Sequence, residues 1–438
     1  MGFRMWKLAF CFFLLALATT ALATAVSAIT VTYNEDYLAQ YTFEKYISDF
    51  GKRYADPEEH RKRNAIFNEN LAKIRAFNGV LGRSYRLGIN KFSDMTKEEF
   101  NAKFNGRVAT PQSTRLSQSP PYKYTRTTFP EALNWQEAKN PVLTPVKDQG
   151  SCGSCWAHAA TESVESMYAI STGKLLTLST QQITSCVNNV RECGGSGGCG
   201  GGTAQLAWEY IENNGGITLD EEYPYVSGDT SVTGRCVLNR SMPRVVNVLG
   251  YVSIPHNNYE AAIEALVQKG PLAVSVDASG WMFYTGGVFD DCGKDGANIT
   301  INHAVQLVGY GKDNKTNQDY WIVRNSWGEG WGEKGFIRLL RKKHNEPCVF
   351  NNDWNTAGGG CADDPNITIV ACGMCGVLYD VAYPVVMKPP ERGRFLWAAV
   401  TAFGGLCVVM IVLMILSRYC GSTPKVYEVF CEESEILN

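Results

Sequence analysis

The chain has 438 residues, which is room for two or three domains. Its formal net charge of -2 at pH 7 gives no strong field, so nucleic acid is not expected as a partner. The 5 histidines are few and scattered, and we expect neither a metal cluster nor a cofactor; the 15 cysteines do require an explanation.

The N-terminus carries the pattern of a cleaved secretory signal peptide. Arg4 and Lys7 precede an apolar run at 8–17, and small residues follow at 21–28. We therefore expect residues 1–28 to be removed and the body of the chain to fold in an oxidising compartment.

The region after the signal is predicted to be helical over 35–78, with one break at Gly51, because apolar residues recur there at helical spacing. A short strand is predicted at 88–94, where Gly, Asn, Phe and Asp alternate with period two. Residues 110–128 are rich in Ser, Thr, Pro and Gln, which favours an exposed, cleavable linker. One stripe of the long helix carries Glu59, Arg63, Phe67, Asn70, Ile74 and Asn78, which an ordinary amphipathic helix would also explain.

The second half of the chain changes from helical to β character. Helices are predicted at 156–172, ended by Gly173, and at 179–185. The fold class is therefore α+β, with a helical half, a β-rich half and a cleft between them. Runs rich in β-branched and aromatic residues predict strands at 245–252, 272–276, 304–308, 320–324 and 335–340.

Three motifs supply the parts of a thiol hydrolase. Cys155 lies in Ser-Cys-Gly-Ser-Cys-Trp, His303 in Asn-His-Ala-Val and Asn325 in Asn-Ser-Trp-Gly. A thiolate attacks a carbonyl carbon, an imidazole takes and returns the proton, and an amide orients the imidazole. A helix N-terminus at Cys155 would favour the thiolate. The alternative role for Cys155 is a disulfide partner, and Cys152 competes for that role.

On these motifs, the helical stripe and the 88–94 motif, the chain from Tyr33 to Val386 resembles the papain family of cysteine proteases, in particular the cathepsin L-like enzymes. The resemblance implies a two-lobed papain-like fold and an inhibitory propeptide at 29–128. It places the start of the catalytic domain, 129–387, at the sequence Phe-Pro-Glu-Ala-Leu-Asn-Trp. It also implies a cysteine endopeptidase made as a zymogen, acting on protein and peptide substrates, with its own propeptide as inhibitor.

The roles of individual residues follow from the same resemblance. Gln149 and the Cys155 backbone N–H form the oxyanion hole, Asn325 orients His303, and Trp327 shields that pair from water. Three disulfides are implied: Cys152–Cys199, Cys186–Cys236 and Cys292–Cys375. Substrate-binding residues are implied at Gly201, Gly202, Thr203, Ala204, Ser275, Ile301, Asn302, Ala304, Trp327 and Asp380.

Two side chains in this region leave alternatives open. Asp380 maps to the floor of the pocket for P2, the second residue before the cut, where a carboxylate would accept Arg or Lys. If the neighbouring insertion shifts the alignment, Asp380 instead lies on a strand edge. His158 stands where the family usually has an apolar aromatic residue; it is either a satisfied core histidine or a group that tunes the pH profile of the thiolate.

The cysteine count fits this interpretation. Cys11 leaves with the signal peptide, and three more lie in or beyond the apolar segment at 395–416, so eleven of 15 remain in the oxidising compartment. With Cys155 as the nucleophile, ten remain for five disulfides. Four exceed the three family pairs, and they are expected to form two further disulfides or, alternatively, a zinc site: Cys193, Cys348, Cys361 and Cys372, of which the last three lie in or beside an insertion at 342–371.

The C-terminal region predicts membrane attachment. Residues 395–416 carry no charge and are long enough for a helix to cross a hydrocarbon core of about 30 Å. Arg392 and Arg394 oppose the positive-inside rule, but the signal peptide and the cysteine count outweigh them. The tail, 417–438, carries a Tyr-Glu-Val-Phe sequence and an acidic dileucine-type sequence, both typical of sorting-adaptor signals. Glycosylation sequons lie at Asn239, Asn298, Asn314 and Asn366.

These features predict a single-pass, membrane-anchored endopeptidase in the secretory pathway, acting in a lysosome, endosome or vacuole. Two alternatives stay open from sequence. One is a catalytically inactive, membrane-bound receptor that retains the peptide cleft. The other is a different enzyme on the same scaffold, either an exopeptidase whose cleft is narrowed by the 342–371 insertion or a peptide ligase. The presence of Gln149, Cys155, His303 and Asn325 together argues against the receptor.

Overall fold

The computed structural model describes residues 35–104, 122–125, 128–351, 361, 369–388 and 408–416. The chain divides into two compact units, Met1–Met387 and Lys388–Asn438. The predicted signal peptide and most of the predicted linker lie outside the described residues. In the second unit the described residues form a helix at 408–416, with exposed side chains.

The predicted membrane span is described only in its last part. Residues 395–407 and the predicted tail at 417–438 lie outside the described residues. Within the described ranges, no helix combines the length and the apolar character that crossing a membrane requires.

The N-terminal part of the first unit is a small helical domain. Thr42 caps its second helix by accepting from the Lys45 N–H, and the helix ends at Gly51. Asp56 caps the long third helix, which begins with Pro57. Phe43, Tyr46 and Phe67 form the aromatic core of this N-terminal domain. The predicted helix over 35–78 is thus three helices: α1 (Glu35–Gln40), α2 (Phe43–Phe50) and α3 (Pro57–Asn78).

The strand predicted at 88–94 is wrong. The strand of this region, β1 (Tyr85–Leu87), lies just before it, and residues 91–94 form a turn. The turn is held by polar side chains, because Asn90 Oδ1 accepts the Phe92 N–H at 2.9 Å. The chain continues into a further helix, α4 (Lys97–Phe104).

The helical lobe is built around one central helix. α5 (Cys155–Thr172) ends where Gly173 adopts a left-handed conformation at φ 73°. Trp156 and Trp208 are fully buried in its core. The other helices of this lobe are α6 (Thr180–Cys186), α7 (Ala204–Asn213) and α8 (Ser227–Thr230).

The β lobe is a nine-stranded sheet in the order β1-β5-β8-β7-β6-β4-β11-β3, with β2 also paired to β6. Strand β1, which comes from the N-terminal domain, therefore forms one edge of this sheet. Helix α9 (Tyr259–Gln268) packs on this lobe. The remaining strands of the sheet are β2 (Leu133–Asn134), β3 (Val248–Ser253), β4 (Leu272–Val276), β5 (Tyr284–Phe289), β6 (His303–Lys312), β7 (Asp319–Arg324), β8 (Phe336–Leu340) and β11 (Val381–Val386).

The cysteines of the described region form five disulfides. The three pairs implied by the family resemblance are present, at Cys152–Cys199, Cys186–Cys236 and Cys292–Cys375. The other four cysteines form Cys193–Cys361 and Cys348–Cys372 rather than a zinc site. The insertion supplies a separate two-stranded hairpin, β9 (Cys348–Asn351) and β10 (Ile369–Cys372).

Candidate active site

Cys155 is the first residue of helix α5 and is fully buried. It belongs to none of the five disulfides. Ser154, the N-cap residue, makes no side-chain capping bond, and the first turn of the helix contains no acidic residue. The partial positive charge of this helix end therefore acts on the thiol without a competing carboxylate in the same turn.

The imidazole and the amide lie at the ends of neighbouring strands. His303 begins β6 and Asn325 follows β7, and the two strands pair in an antiparallel ladder. His303 Nε2 donates to Asn325 Oδ1 at 2.7 Å. The indole of Trp327 covers the imidazole, with ring centroids 4.8 Å apart. The pair is therefore oriented and screened from water.

The His303 imidazole is fully buried, and its other nitrogen, Nδ1, bonds to no group in the described part of the chain. Burial lowers the His303 pKa to about 4, and the hydrogen bond that His303 donates to Asn325 offsets this only in part. The imidazole is therefore neutral in this covered state at neutral pH. Helix α5 packs against β6, and Ala304 lies in the same apolar cluster as Cys155.

Gln149 is fixed between the two lobes and the N-terminal domain. Its backbone N–H and its Oε1 both bond to Ser326, beside Asn325. Its Nε2 donates to the Cys152 carbonyl at 2.9 Å and to the Phe104 carbonyl at 3.0 Å. Phe104 is the last residue of α4, so a main-chain carbonyl of the N-terminal domain already occupies this donor.

The N-terminal domain also covers the indole over the imidazole. Phe92 and Phe100 meet Trp327 edge to face, at centroid distances of 5.7 and 5.1 Å. All three rings are at most 1 % exposed. The cleft beside His303 is therefore closed by aromatic packing from residues that precede the catalytic domain.

The glycine-rich edge of the helical lobe needs its glycines. A Cβ on Gly202 would lie 2.8 Å from the indole of Trp156, and Gly201 has φ 100°. Thr203 caps α7 by accepting the Leu206 N–H. These residues lead into the N-terminus of α7.

Asp380 and Ser275 lie together in the β lobe. The two Asp380 oxygens accept from Gln205 Nε2 at 2.9 Å and Ser275 Oγ at 2.7 Å. Ser275 pairs with Ala304 across the β4–β6 ladder. Asp380 is 7 % exposed and buried between strand and helix, so it does not lie on an open strand edge.

Two other residues predicted to contact substrate, Ile301 and Asn302, make contacts within the protein. Ile301 is fully buried in an apolar cluster with Ile369 of the hairpin. The side chain of Asn302 donates to Ser279 Oγ at 2.8 Å and accepts the Ala278 N–H at 3.0 Å. Both residues therefore shape the loop that delivers His303.

His158 is a buried, hydrogen-bonded histidine. Its Nδ1 lies 3.0 Å from the Ser154 carbonyl oxygen, and its ring meets that of Tyr225 edge to face. Burial lowers the His158 pKa to about 3. The core-histidine interpretation therefore has direct structural support.

Sequence reasoning missed a buried ion pair at the lobe interface. Arg324, directly before Asn325, lies 3.3 Å from the Glu162 carboxylate of α5, and both side chains are buried. Its guanidinium also donates to the carbonyls of Thr144 and Pro145. An arginine inside an otherwise apolar strand was the available signal.

Three of the four sequons lie on exposed asparagines: Asn239, Asn298 and Asn314. The fourth, Asn366, lies outside the described residues. Glycan attachment at these positions stays a prediction.

Comparisons with known proteins agree with this geometry. Residues 129–357 match the family model "Papain family cysteine protease", and residues 43–100 match "Cathepsin propeptide inhibitor domain (I29)". The chain is 35% identical to cysteine endopeptidase RepA of Oryza sativa subsp. japonica over 80% of this chain and 84% of the relative. It is 35% identical to cathepsin L of Sarcophaga peregrina over 75% of this chain and 94% of the relative.

A solved structure shows the same architecture, including the N-terminal domain. Digestive procathepsin L 3 of Tenebrio molitor larval midgut superposes with a TM-score of 0.61 at 32% identity, covering 78% of this chain and 97% of that one. The N-terminal helical domain and the two lobes are thus a procathepsin arrangement. The chain therefore belongs to the papain family of cysteine proteases, as a cysteine-type endopeptidase that carries its own inhibitory propeptide.

Proposed function

We propose that Cys155 is the nucleophile of this endopeptidase and that residues 29–128 hold it inactive until they are removed in acid. The observation that carries the proposal is the 3.0 Å hydrogen bond from Gln149 Nε2 to the Phe104 carbonyl. A developing oxyanion needs that donor, and the propeptide occupies it. This one hydrogen bond therefore accounts for both the catalytic role proposed for Gln149 and the inactivity of the zymogen.

In the mature enzyme the Cys155 thiolate attacks the carbonyl carbon of the scissile peptide bond. The oxyanion accepts hydrogen bonds from Gln149 Nε2 and the Cys155 N–H. His303, which is oriented by Asn325, holds the proton that it took from the Cys155 thiol and gives it to the leaving amine as the C–N bond breaks and the thioester forms. It then takes a proton from water, whose oxygen attacks the thioester and releases the carboxylic acid and the Cys155 thiolate.

Substrate selection centres on the pocket between the Gly201–Thr203 edge and the strand that carries Ser275. Asp380, held by Ser275 and Gln205, supplies a carboxylate to this pocket. A P2 guanidinium or ammonium would compete for that carboxylate, whereas the apolar wall near Ala304 takes Leu or Phe. The enzyme therefore accepts both kinds of P2 residue.

Activation begins at a cluster of polar contacts around Asp94 inside the propeptide, which we call the latch. The Asp94 carboxylate accepts from Tyr46 at 2.8 Å, Lys52 at 2.9 Å and Tyr54 at 3.0 Å. It is 4 % exposed. Lys91, three residues earlier, forms an ion pair with Asp148 of the catalytic domain. Loss of the Asp94 charge would leave Lys52 without its partner and would loosen the turn that docks the propeptide.

The membrane segment and the compartment are part of the proposal. Residues 1–28 direct the chain into the secretory pathway, 395–416 anchor it, and 417–438 engage sorting adaptors. The support is the sequence pattern together with the disulfides of the first unit, which suit an oxidising lumen. In alkaline carbonate the full-length chain should stay in the membrane fraction, and a chain truncated at residue 387 should be released. Release of the full-length chain would contradict the anchor.

Neither sequence alternative gains support from the relatives named above. Both relatives are named as proteases, which does not favour an inactive receptor, and RepA is named as an endopeptidase. An exopeptidase would need one end of the cleft blocked, and no contact among the described residues shows this.

The test is peptide-coumarin hydrolysis by residues 29–387 after a shift to about pH 5, beside Cys155→Ala. Activity should appear with propeptide loss and be absent from the Ala variant. The same hydrolysis in both proteins would overturn the thiol mechanism. A folded, propeptide-free wild-type protein that cleaves nothing would favour the receptor.

A further inference from the structure

One tyrosine hydroxyl joins the two segments that supply the proposed oxyanion hole. The Tyr225 hydroxyl donates to the Gln149 main-chain carbonyl at 2.9 Å. It also lies 2.6 Å from Ser154 Oγ. Because the phenol has one proton and gives it to Gln149, the Ser154 hydroxyl is the donor of the second bond. Ser154 directly precedes Cys155, so the phenol bridges the residue with one oxyanion donor and the neighbour of the residue with the other.

Ser154 serves this bridge rather than the usual role of a serine at a helix start. A serine at the N-cap normally accepts a hydrogen bond from the second or third N–H of the helix. Ser154 makes no such bond, and its backbone, at φ -98° and ψ 19°, does not have the extended conformation of a capping residue. Its side chain is fully buried and bonds to Tyr225. A broken local rule of this kind is typical of a functional position.

The segment that carries Tyr225 is held in place independently of the hydroxyl. A Cβ on Gly228 would lie 2.7 Å from the Gln149 carbonyl oxygen, so the two loops are in close contact. On the other side, Gln181 Oε1 of α6 accepts the Val226 N–H at 2.8 Å. Burial raises the pKa of the Tyr225 phenol, which therefore remains a donor at acidic and neutral pH. Removal of the hydroxyl alone leaves this loop packing intact.

We propose that Tyr225 is a positioning residue that sets the spacing between the two oxyanion donors, the Gln149 amide and the Cys155 N–H. The inference rests on the function proposed above, in which both groups donate to the developing oxyanion. Ser326 holds the Gln149 side chain from the end of β7, whereas Tyr225 ties its main chain to the start of α5. When the propeptide leaves, the Phe104 carbonyl no longer holds the amide, and the bridge through Tyr225 remains.

The consequence is that the hydroxyl contributes to the transition state and not to substrate binding. A reacting group misplaced by about 1 Å can cost roughly 100-fold in rate, and removal of one oxyanion donor costs about 100- to 1,000-fold. Without the Tyr225 hydroxyl both donors are present but less well placed, so we expect kcat to fall about tenfold. KM should stay within about twofold, because the oxyanion forms only after the substrate has bound.

The experiment compares Tyr225→Phe with Tyr223→Phe, a matched control two residues away. The Tyr223 hydroxyl donates to the Arg235 carbonyl at 3.0 Å and accepts the Val237 N–H at 3.3 Å. The control therefore also loses a hydroxyl with two hydrogen bonds, but neither bond reaches the oxyanion segments. Each full-length zymogen is matured, and kcat and KM are measured on peptide-coumarins.

Alkylation of Cys155 by iodoacetamide is measured on the same proteins across a pH series, by mass spectrometry of the Cys155 peptide. In this reaction the thiolate displaces iodide from a carbon atom, so it needs the thiolate but no oxyanion hole. A general disturbance of the active site would slow alkylation and hydrolysis together, whereas misplaced oxyanion donors slow hydrolysis alone.

For Tyr225→Phe the proposal predicts a kcat about tenfold below wild type, with KM and the alkylation profile near wild type and no change in the control. An unchanged kcat, an alkylation rate that falls as much as kcat, or an equal loss in the control would each overturn it. In a Gln149→Ala background, Tyr225→Phe should cost less than about threefold, because one of the two donors that it spaces is absent. A further tenfold loss there would also contradict the proposal.

If Tyr225→Phe yields no folded protein, Ser154→Ala removes the other half of the bridge. It should show the same fall in kcat with unchanged alkylation, and equal changes in both would overturn the proposal. Failure of the protease assignment would appear separately, because the wild-type protein would then show neither hydrolysis nor rapid alkylation of Cys155.

Discussion

Replacing His158 by Phe tests whether one buried imidazole makes the zymogen labile in acid. The side chain is 1 % exposed, and its Nδ1 bonds to the Ser154 carbonyl. Burial is the largest cause of a His158 pKa of about 3. The folded protein therefore keeps this imidazole neutral throughout the weakly acidic range.

The magnitude follows from proton linkage. In an unfolded chain a histidine titrates near pH 6.5. Below about pH 6.5 the unfolded state therefore binds a proton at His158 that the folded state does not bind. Stability is therefore highest above this value and falls with decreasing pH until the folded pKa of about 3 is reached. Each pH unit corresponds to about 1.4 kcal/mol, so His158 removes ~2 kcal/mol of unfolding free energy between about pH 6.5 and pH 5.

Denaturant unfolding of the zymogen in a Cys155→Ala background, at about pH 7 and pH 5, measures this difference. His158→Phe should lose ~2 kcal/mol less on acidification than the histidine protein, whatever its absolute stability. Equal acid losses in the two proteins would refute the reasoning. The pH–rate profile of the mature His158→Phe enzyme should be unmoved, because the imidazole does not titrate there; a shifted profile would make His158 a modulator of the thiolate.

Four further changes give distinct outcomes. Asp94→Asn removes the charge that binds Lys52, so propeptide cleavage should begin at a higher pH, measured by gel shift across a pH series; an unchanged threshold would contradict the latch. Asp380→Ala should lower kcat/KM for P2 Arg substrates and leave P2 Leu substrates within about twofold, whereas equal losses would contradict a carboxylate at the pocket floor. Gln149→Ala should lower kcat by on the order of a hundredfold in the mature enzyme with little change in KM, and a rise in KM alone would exclude the oxyanion role. Arg324→Met should cost about 3–5 kcal/mol in chemical denaturation because it removes the nearest countercharge of the buried Glu162, and adding Glu162→Val should recover most of that loss; no recovery would deny the pairing.

Local sequence signals predicted the elements that carry the reacting groups. The helix predicted at 156–172 begins one residue earlier, at Cys155, and ends as predicted before Gly173. The strand predicted at 304–308 is longer and begins at His303. Both elements have strong apolar patterns and clear boundary residues, so neighbouring positions alone were enough to locate them.

Contacts between distant segments could not be predicted in the same way. The Phe104 carbonyl reaches Gln149 only through the tertiary docking of α4, and no side-chain pattern marks a carbonyl. The partner of Cys193 lies 168 residues away, and cysteine counting leaves such pairings undetermined. The period-two motif at 88–94 failed for a related reason. Its polar side chains bond to other segments, among them Asn90 to the Met282 carbonyl at 2.7 Å, rather than alternating across a sheet.

The pairing of β1 with β5 makes the inhibitor a structural part of the enzyme that it silences. Tyr85 lies opposite Gly287, and β5 has β8 as its neighbour on the other side. Maturation therefore strips one strand from the sheet and leaves the backbone amides and carbonyls of β5 as an open border. An exposed edge strand promotes self-association and can also bind another extended chain. The same cleavage therefore makes the mature protease more prone to aggregate and gives it a binding site for its own released propeptide.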